Sequence, residues 1–526
     1  MRSADRRWFE LRDRDHRRHL DAMAALPADH RIRRPTTAVR CGLSFGRRAT
    51  TPLDRGSSRR EESVIDVELH QASAAQMAEA IRARQVSSAE LVEACLRRIE
   101  AVNPLINAVV QVADSALSEA RRADDELRRG RPRGPLHGVP FTAKDSLDTA
   151  GIVTTAGTVG WANRVPERDA TVVARLKAAG GILLGKTNTP ELTWSDETNN
   201  LVYGRTSNPY DLARTPGGSS GGAGAIVAAA GSPLDVGSDT GDSIRQPSHV
   251  CGIAGIKPTS GRVPRTGHTP SYRGFLEAFT QLGPMARRVE DLALVLPIIA
   301  GPDGEDPHVA PVVLRDPAEV EIPGLRVAYF TDNGVRRPTA ETIDTVVAAA
   351  RSLADAGAHL TERVPPRIAE AADVWQRLID ADGKAWLARL LAAAGTPGRG
   401  SFVDRPDWPV DMPALPGDEL SALLEEADDI RASLLRWIQD VDLVLCPVMP
   451  QPAIRHGESA EPWFGDTYSD VHNLTGWPAA VVRAGTTPSG LPIGVQLVAP
   501  PWREDVALAA AAVVESALGG WRPPPI

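Results

Sequence analysis

The chain has 526 residues, of which 42% are hydrophobic and 24% are charged, so it can bury a large core. Its net charge of −8 gives no electrostatic reason to expect nucleic-acid binding. No stretch of about 18 apolar residues predicts a membrane span, and no group of His, Asp and Glu has the spacing of metal ligands. The cysteines are far apart, which disfavours zinc and disulfides and favours free thiols in the cytoplasm; they are Cys41, Cys95, Cys251 and Cys446.

Residues 1–64 differ in composition from the rest of the chain. They are rich in arginine and contain no lysine, and no apolar stretch follows an Arg-Arg pair as a secretory signal would require. We expect a mostly disordered extension with one short helix over residues 8–23. A start site assigned too far upstream and a nucleic-acid-binding arm are the alternative interpretations. Residues 65–526 are predicted to form a single domain.

Helical and strand patterns alternate through this domain. Ser87-Ser-Ala-Glu90 is a capping box that opens a helix, which we expect to end at Asn103-Pro104. Residues 171–180 predict a second helix with a glycine stop, and residues 181–185 predict the strand that follows it. Residues 441–446 predict a later strand. The alternation predicts an α/β domain whose sheet carries helices on both faces.

Lys144 is the single lysine in an apolar, strand-like run over residues 138–147. A lysine rarely enters a core without a partner or a chemical reason. Burial disfavours the ammonium form and lowers the pKa of a lysine from about 10.4, by as much as about 3–5 units in extreme cases. A neutral buried amine can accept a proton, so Lys144 is a candidate general base. Taken alone, a lysine here is also compatible with a surface position at a strand end.

Two glycine-rich segments, residues 215–224 and 238–247, place serines where backbone N–H groups can converge. A serine in such a segment can present its hydroxyl beside several aimed donors, as an acyl-transfer site requires. A phosphate-binding loop would need a Lys-Ser or Lys-Thr pair, which this segment lacks. A flexible linker is disfavoured because the apolar helical stretch 225–230 follows at once. We interpret His249, the nearest histidine, as a polar residue in a turn rather than as the base.

Lys144, Ser219 and Ser243 lie in motifs that resemble the Ser–cis-Ser–Lys triad of the amidase signature family. Their order and spacing resemble that family, and the similarity extends over residues 65–520. The resemblance implies one large α/β domain around a twisted mixed sheet of about eleven strands, with an N-terminal helical part packed on its side. Further matching motifs are Ser87-Ser-Ala-Glu-Leu91, Gly134-Pro-Leu-His-Gly-Val-Pro140, Thr154-Thr-Ala-Gly157, Leu184-Gly-Lys-Thr-Asn188, Gly255-Ile-Lys-Pro-Thr259, Asn473-Leu-Thr-Gly-Trp-Pro478 and Gly490-Leu-Pro-Ile-Gly-Val-Gln496.

The same resemblance implies a reaction that needs no cofactor. Ser243 would attack the carbonyl carbon of an amide, and Ser219, preceded by a cis peptide bond, would pass the proton from Ser243 to Lys144. Water would then release the acyl group. The oxyanion hole would be formed by the backbone N–H groups of Thr240, Gly241, Asp242 and Ser243.

Asp242 departs from the family, which most often has glycine at this position. A carboxylate facing the oxyanion hole would repel the developing negative charge, so we expect the Asp242 side chain to point away from it. Arg245 follows two residues after Ser243. We expect it to pair with a carboxylate such as Asp239, because a buried guanidinium requires a partner.

The substrate is less well specified. Thr193 and Trp194 occupy a stretch that in relatives lies against the acyl pocket. Asp466 would hold the α-amino group if the substrate were glutamine. Several aromatic residues can either bind an aryl or apolar acyl group or simply fill the core; they are Trp375, Trp386, Trp408, Trp437, Trp463, Phe464 and Tyr468.

Three functions are compatible with these motifs. The first is a stand-alone amidohydrolase that cleaves a small carboxamide, anilide or carbamate through an acyl-enzyme on Ser243. The second is the glutaminase subunit of a tRNA-dependent amidotransferase, which the motif following Ser243 resembles. The third is a catalytically silent binding protein in which Asp242 spoils the oxyanion hole. We favour the hydrolase because of residues 446–450, residues 473–478 and Asp242. Its partner would be a small amide substrate, and we expect neither nucleic acid nor a membrane as a partner. A homodimer is compatible with this prediction.

Overall fold

The computed structural model describes residues 69–398, 400–401, 412–458 and 468–526. The predicted extension over residues 1–64 therefore lies outside the described residues. Eleven strands in the described part form one mixed sheet. They are β1 (Val109–Val112), β2 (Pro140–Lys144), β3 (Ile182–Thr187), β4 (Leu234–Asp239), β5 (Ala254–Lys257), β6 (Gln281–Ala286), β7 (Arg326–Tyr329), β8 (His359–Glu362), β9 (Leu443–Pro447), β10 (Ala479–Thr486) and β11 (Pro492–Val498).

Thirteen α-helices in the described part accompany the sheet. They are α1 (Ala74–Arg82), α2 (Ser88–Ile106), α3 (Ala116–Arg128), α4 (Thr171–Ala178), α5 (Gly221–Ala228), α6 (Arg245–Val250), α7 (Val289–Ile299), α8 (Ala340–Asp355), α9 (Ile368–Asp380), α10 (Ala385–Ala394), α11 (Gly417–Trp437), α12 (Asp470–Leu474) and α13 (Glu504–Leu518).

The sheet consists of two halves that are each continuous in sequence. Its order is β1-β3-β2-β4-β6-β5-β10-β11-β9-β7-β8, so the first six strands form one side and the last five form the other. The halves meet where β5 pairs antiparallel with β10. Strand β2 runs parallel to β3 and to β4, so the carboxyl ends of these strands lie at one edge of the sheet. Lys144 ends β2 and Asp239 ends β4, and this edge carries the candidate site.

Helices cover both faces of the sheet, which confirms the predicted α/β fold. Side chains alternate between the two faces of a strand. In β9, Leu443 and Leu445 join one buried apolar cluster, which includes residues of α1–α8 and α13. The intervening Val444 and Cys446 join a second cluster, which is formed mainly by α9–α12 and several aromatic side chains.

The predicted helix starts are more accurate than the predicted ends. Ser87 caps α2 through a capping box with Glu90, as expected. The prediction that this helix ends at Asn103-Pro104 is wrong, because α2 continues to Ile106 and ends at Asn107, whose φ is 48°. Proline has the φ of a helix and loses only one hydrogen bond near the end. Helix α4 does end as predicted, with Gly180 at a φ of 97°.

Candidate active site

Lys144 points its amine at three serine hydroxyls. The Nζ atom lies 2.7 Å from Ser219 Oγ, 2.9 Å from Ser220 Oγ and 3.0 Å from Ser238 Oγ. The lysine side chain is completely buried, as are the three serines to within 2% of their surface. The structure thus brings together the lysine from the end of β2, two serines that precede α5, and one serine from the end of β4.

Burial is the main influence on the Lys144 amine. Loss of hydration lowers its pKa well below the usual 10.5, and this effect outweighs the opposing attraction of Asp239, Asp235 and Asp242. The uncharged amine has two N–H donors and one lone pair. It can therefore donate two hydrogen bonds to serine oxygens and accept the proton of a third hydroxyl.

The surrounding hydrogen bonds restrict which hydroxyl can donate to that lone pair. Ser220 Oγ also lies 3.2 Å from the carbonyl oxygen of Ser238, to which only its own proton can be donated. Ser220 therefore accepts a hydrogen bond from Lys144. Ser219 and Ser238 can still give a proton to the amine; Ser219 is the nearest of the three, and the predicted proton transfer requires this of Ser219.

Glycines allow the chain to place Ser219 beside the amine. The peptide bond between Gly218 and Ser219 is cis, as the resemblance implied. A Cβ atom on Gly218 would lie 2.2 Å from the carbonyl oxygen of Ser195, so only glycine fits there. The Gly218 N–H donates to Gln246 Oε1 at 2.8 Å, which ties this turn to the segment that contains Ser243.

Ser243 lies in a loop that contacts the same turn. Its carbonyl oxygen accepts from the Ser220 N–H at 3.2 Å, and the Asp242 carbonyl oxygen accepts from the Gln246 N–H at 2.7 Å. The Gly241 carbonyl oxygen accepts from Arg245 Nη2 at 2.6 Å. Because the C=O and the next N–H of a trans peptide point in opposite directions, the N–H groups of Asp242 and Ser243 are directed away from Arg245 and Gln246. That direction agrees with their predicted role as oxyanion donors, which stays a prediction.

Arg245 holds this loop through the expected carboxylate. Its Nε and Nη2 donate to the two oxygens of Asp239 at 3.0 and 2.9 Å, and both side chains are completely buried. Arg245 Nη1 donates to the carbonyl oxygen of Ser469 at 2.9 Å. Asn473 Nδ2 donates to Asp239 Oδ1 at 2.9 Å. The paired guanidinium lowers the pKa of Asp239 to about 2, so this carboxylate stays charged. The prediction of a structural Arg245–Asp239 pair is confirmed.

The ring nitrogens of His249 bind backbone groups rather than a serine hydroxyl. The Gly494 N–H donates to His249 Nδ1 at 2.8 Å, and Nε2 lies 3.1 Å from the Gln451 carbonyl oxygen, to which it donates. Both nitrogens are thus engaged by backbone groups, and burial lowers the pKa of the ring. The residue lies in helix α6 rather than in the expected turn.

Thr193 and Trp194 reach the predicted oxyanion segment through Tyr272. Both are 5% exposed, and the Thr193 hydroxyl hydrogen-bonds to the hydroxyl of Tyr272. The Tyr272 hydroxyl also interacts with Thr240. The Trp194 and Tyr272 rings meet edge to face, with centroids 5.6 Å apart, and the centroids of Trp194 and Trp386 are 4.7 Å apart. The structure therefore places these two predicted residues in an aromatic wall beside the site.

The other predicted aromatic residues that the structure describes are Trp375, Trp437 and Tyr468, and all three belong to the second buried apolar cluster. Trp375 also lies against the site, because a Cβ atom on Gly241 would be 3.3 Å from its ring. The remaining predicted residues lie outside the described residues: Asp466, Trp408, Trp463 and Phe464.

Four neighbours of the site were missed from the sequence. Ser220 lay in the glycine-rich motif but had no assigned role, and Ser238 opens the second motif. Asp235 is a fully buried acid in β4, where a charge among apolar residues was the available signal. Tyr272 follows a loop and gave no pattern that could have identified it.

A family model described as Amidase matches residues 90–508. The chain belongs to the amidase signature family. This finding confirms the resemblance that the motifs around Lys144, Ser219 and Ser243 indicated. No group of His, Cys, Asp and Glu in the described part could hold a metal ion. Among the same residues, no helix is long and apolar enough to cross a membrane.

Two amidase signature proteins illustrate the range of similar sequences. The chain is 36% identical over 483 residues to a glutamyl-tRNA(Gln) amidotransferase subunit of Carboxydothermus hydrogenoformans, covering 85% of this chain and 98% of the relative. It is 33% identical over 477 residues to an acylamidase of Rhodococcus erythropolis, covering 85% and 96%.

Solved structures of amidase signature enzymes are also similar to this chain. A 6-aminohexanoate cyclic dimer hydrolase superimposes with a TM-score of 0.78 at 31% identity, covering 87% of this chain and 99% of the other. A bacterial aryl acylamidase superimposes with a TM-score of 0.73 at 26% identity, covering 85% and 96%. These similarities support the family fold over the whole described sheet.

Proposed function

We propose that the chain is an amidohydrolase that cleaves the C–N bond of a small carboxamide, anilide or carbamate through a covalent acyl-enzyme on Ser243. The contact between the buried Lys144 amine and Ser219 Oγ at 2.7 Å carries the proposal. Loss of hydration favours the uncharged form of an amine, and an uncharged amine next to a hydroxyl that can donate to it can act as a base. We place this activity in residues 65–526 and, because Cys95 and Cys251 are free thiols, in the cytoplasm.

The first half of the reaction forms the acyl-enzyme. Ser219 gives its proton to Lys144 and takes the proton of Ser243, while Ser243 Oγ attacks the carbonyl carbon of the substrate. The carbonyl oxygen becomes an oxyanion that accepts hydrogen bonds from the backbone N–H groups of residues 240–243. The C–N bond then breaks as the proton returns through Ser219 to the leaving nitrogen.

The second half releases the acyl group. A water molecule gives a proton through the same serine to Lys144 and attacks the ester carbonyl, and Ser243 recovers its proton as the acid leaves. The aromatic wall of Trp194, Tyr272 and Trp386, with Trp375 against Gly241, supports an apolar or aryl acyl group.

A panel of amides, anilides, esters and carbamates tests the proposal. Purified wild type is expected to hydrolyse at least one class, and Lys144→Ala is expected to lose about 10²–10⁴-fold in kcat, the range of general-base catalysis. Lys177→Ala is the control, because that lysine is partly exposed and pairs with Asp169 rather than with a serine. Unchanged turnover in Lys144→Ala would show that another group is the base.

The glutaminase subunit of an amidotransferase is the second candidate. The observation that favours it is the 36–37% identity to several curated amidotransferase subunits, which this chain covers over more than nine-tenths of their length in the highest matches. Activity only after co-purification with partner subunits, with glutamine as the preferred amide, would establish this function and exclude the stand-alone hydrolase.

Covalent labelling distinguishes both enzymes from a silent binding protein. A fluorophosphonate reacts with an activated serine and requires no knowledge of the substrate. Wild type is expected to be labelled and Ser243→Ala is expected to remain unlabelled. Equal labelling of the two proteins would assign the reactive serine elsewhere.

A further inference from the structure

Asp235 is a buried acid that the proposed reaction does not use. It lies in β4 between the apolar residues Leu234 and Val236 and has no exposed surface. Its Oδ2 accepts a hydrogen bond from Thr187 Oγ1 at 3.1 Å. Its Oδ1 has no hydrogen-bond partner in the part of the chain that the structure describes. Burial without a cationic hydrogen-bond donor raises the pKa of this carboxyl from 3.8 to about 7.

Strand register places this carboxyl on the same face of the sheet as the aliphatic part of the Lys144 side chain. Asp235 of β4 is the Cα partner of Thr142 in β2, and Lys144 is the partner of Thr187 in β3. Thr142 and Lys144 are two residues apart in one strand, so all four side chains lie on the same face of the sheet. The hydrogen bond between Asp235 and Thr187 crosses over β2 on the face that carries the Lys144 side chain.

Gly237 keeps this face open between the acid and the serines. It is the next residue of β4 on the same face as Asp235, and a Cβ atom on it would lie 2.8 Å from Ser220 Oγ. The glycine therefore lets the amine and Ser220 lie directly against β4, on the face that carries the carboxyl.

We propose that Asp235 is a positioning residue whose charge sets how much of the Lys144 amine is uncharged. The ionised carboxylate stabilises the ammonium form, whereas the protonated acid has no such effect. The protonation state of Asp235 thus influences the pKa of Lys144, and Asp235 does so without contacting the substrate. The inference rests on the proposed function, in which Lys144 must accept a proton.

Other charged groups also act on this pair. Asp239, which is paired with Arg245, exerts the largest attraction on the Lys144 ammonium, ahead of that of Asp235. Asp242 contributes to the same field from the loop. From β3, Lys186 is the partner of Ala143 and so lies on the opposite face; Asp145 is its largest electrostatic partner, and the charge of Lys186 also favours the ionised form of Asp235. Burial, with a smaller contribution from Lys144, lowers the pKa of His268 to about 3, so its ring is uncharged.

Removing the charge of Asp235 is expected to change the pH dependence of catalysis. In Asp235→Asn the amide oxygen can still accept from Thr187, but the negative charge is lost. The pKa of Lys144 then falls, because one source of attraction for the ammonium is gone. The rising limb of kcat/KM against pH should move to lower pH by about half a unit or more, with a similar plateau at high pH.

The experiment compares the pH profiles of wild type, Asp235→Asn and Asp235→Ala. The alanine variant removes the same charge by a different side chain, so it tests the inference if the asparagine variant fails to fold. Asp291→Asn is the matched control: Asp291 is equally buried and its pKa is also raised to about 7, but it accepts from the Ala75 N–H and faces Arg287. Its profile is expected to coincide with that of wild type.

The rate of fluorophosphonate labelling of Ser243 is measured over the same pH range as a readout that does not depend on the substrate. If the rising part of the pH profile keeps its wild-type midpoint in both Asp235 variants, the inference is overturned and the proposed function stays intact. A wild type that neither hydrolyses amides nor is labelled at any pH would overturn both.

Discussion

Ser219 and Ser220 are adjacent in sequence and both lie within hydrogen-bonding distance of the Lys144 amine, yet their protons have different destinations. The proton of Ser220 is directed to the carbonyl oxygen of Ser238, whereas the nearer Ser219 can donate to the amine. In the proposed mechanism, Ser219 therefore transfers the proton and Ser220 only supports the lysine.

This difference predicts unequal losses on substitution. Ser219→Ala is expected to lower kcat by about 10²–10⁴-fold, because it removes the hydroxyl that carries the proton. Ser220→Ala removes one acceptor of the amine and should cost about tenfold or less, the value of roughly one hydrogen bond. Steady-state kinetics on one amide substrate measure both; equal losses would contradict the assignment of the two protons.

The state of Lys144 also predicts a pH dependence. The reaction needs the uncharged amine, whose pKa is lowered by burial, so kcat/KM should rise with pH and level off well below the usual lysine value of 10.5. The sign follows from the base being the deprotonated form. A profile that falls with rising pH from neutrality would identify an acid, rather than this amine, as the essential group.

How far the sequence predicts the site depends on whether a residue belongs to a motif. Lys144, Ser219 and Ser243 are predicted from the sequence because each lies in a recognisable local pattern. Asp235 and Tyr272 could not be placed, since their proximity to the site arises from strand register and from a loop that crosses it. Such contacts join residues that are distant in the chain and leave no periodic signal.

At the scale of elements, the first turn of helix α5 lies against Asn188, the residue that follows β3. Gly222, in its first turn, donates its N–H to the Asn188 carbonyl oxygen at 3.2 Å. A Cβ atom on this glycine would lie 2.3 Å from the Asn188 backbone nitrogen. The close approach sets the position of the two serines that precede the helix.

Replacing Gly222 with alanine should therefore destabilise the protein. The added methyl group meets backbone, which cannot rotate away, and we expect a loss of about 1–3 kcal/mol or more in the free energy of unfolding. Gly417→Ala is the control, because Gly417 begins α11 with no atom near its missing Cβ. That variant should be neutral or up to about 1 kcal/mol more stable. Urea unfolding of both variants checks the prediction, which equal midpoints would contradict.

The two ends of helix α2 show that a helix boundary is predicted well when neighbouring residues alone determine it. The capping box of α2 was predicted correctly because its two side chains bond within one turn. The predicted end comes too early, because Pro104 lies inside the helix and does not stop it. Asn103 instead accepts the N–H groups of Ala108 and Val109 through its side chain, each at 2.8 Å, and so organises the end of the helix beyond the proline.

At the scale of the whole molecule, buried acids make stability depend on pH. Asp291 has its pKa raised by burial from 3.8 to about 7. Between these values the unfolded chain loses the proton while the folded protein keeps it, so stability falls as pH rises through this window. Below the window, both states hold the proton and the contribution is complete.

Asp291→Asn removes this dependence, because its amide does not ionise. Relative to wild type, the variant should gain up to a few kcal/mol of unfolding free energy between about pH 4 and 7, since one pKa unit corresponds to about 1.4 kcal/mol. Denaturant unfolding at several pH values measures the gain, and the exposed residue Asp114, changed to Asn, serves as control. A constant difference across this range would contradict the assigned titration.

The order of strands has a consequence for biosynthesis. Strands β1–β6 leave the ribosome first and complete one half of the sheet. One edge of β5 stays unpaired until β10, near the end of the chain, has been synthesised. An unpaired strand edge is a template for association with other chains. We therefore expect nascent chains that stall before β10 to require chaperone protection, although they already contain Lys144, Ser219 and Ser243.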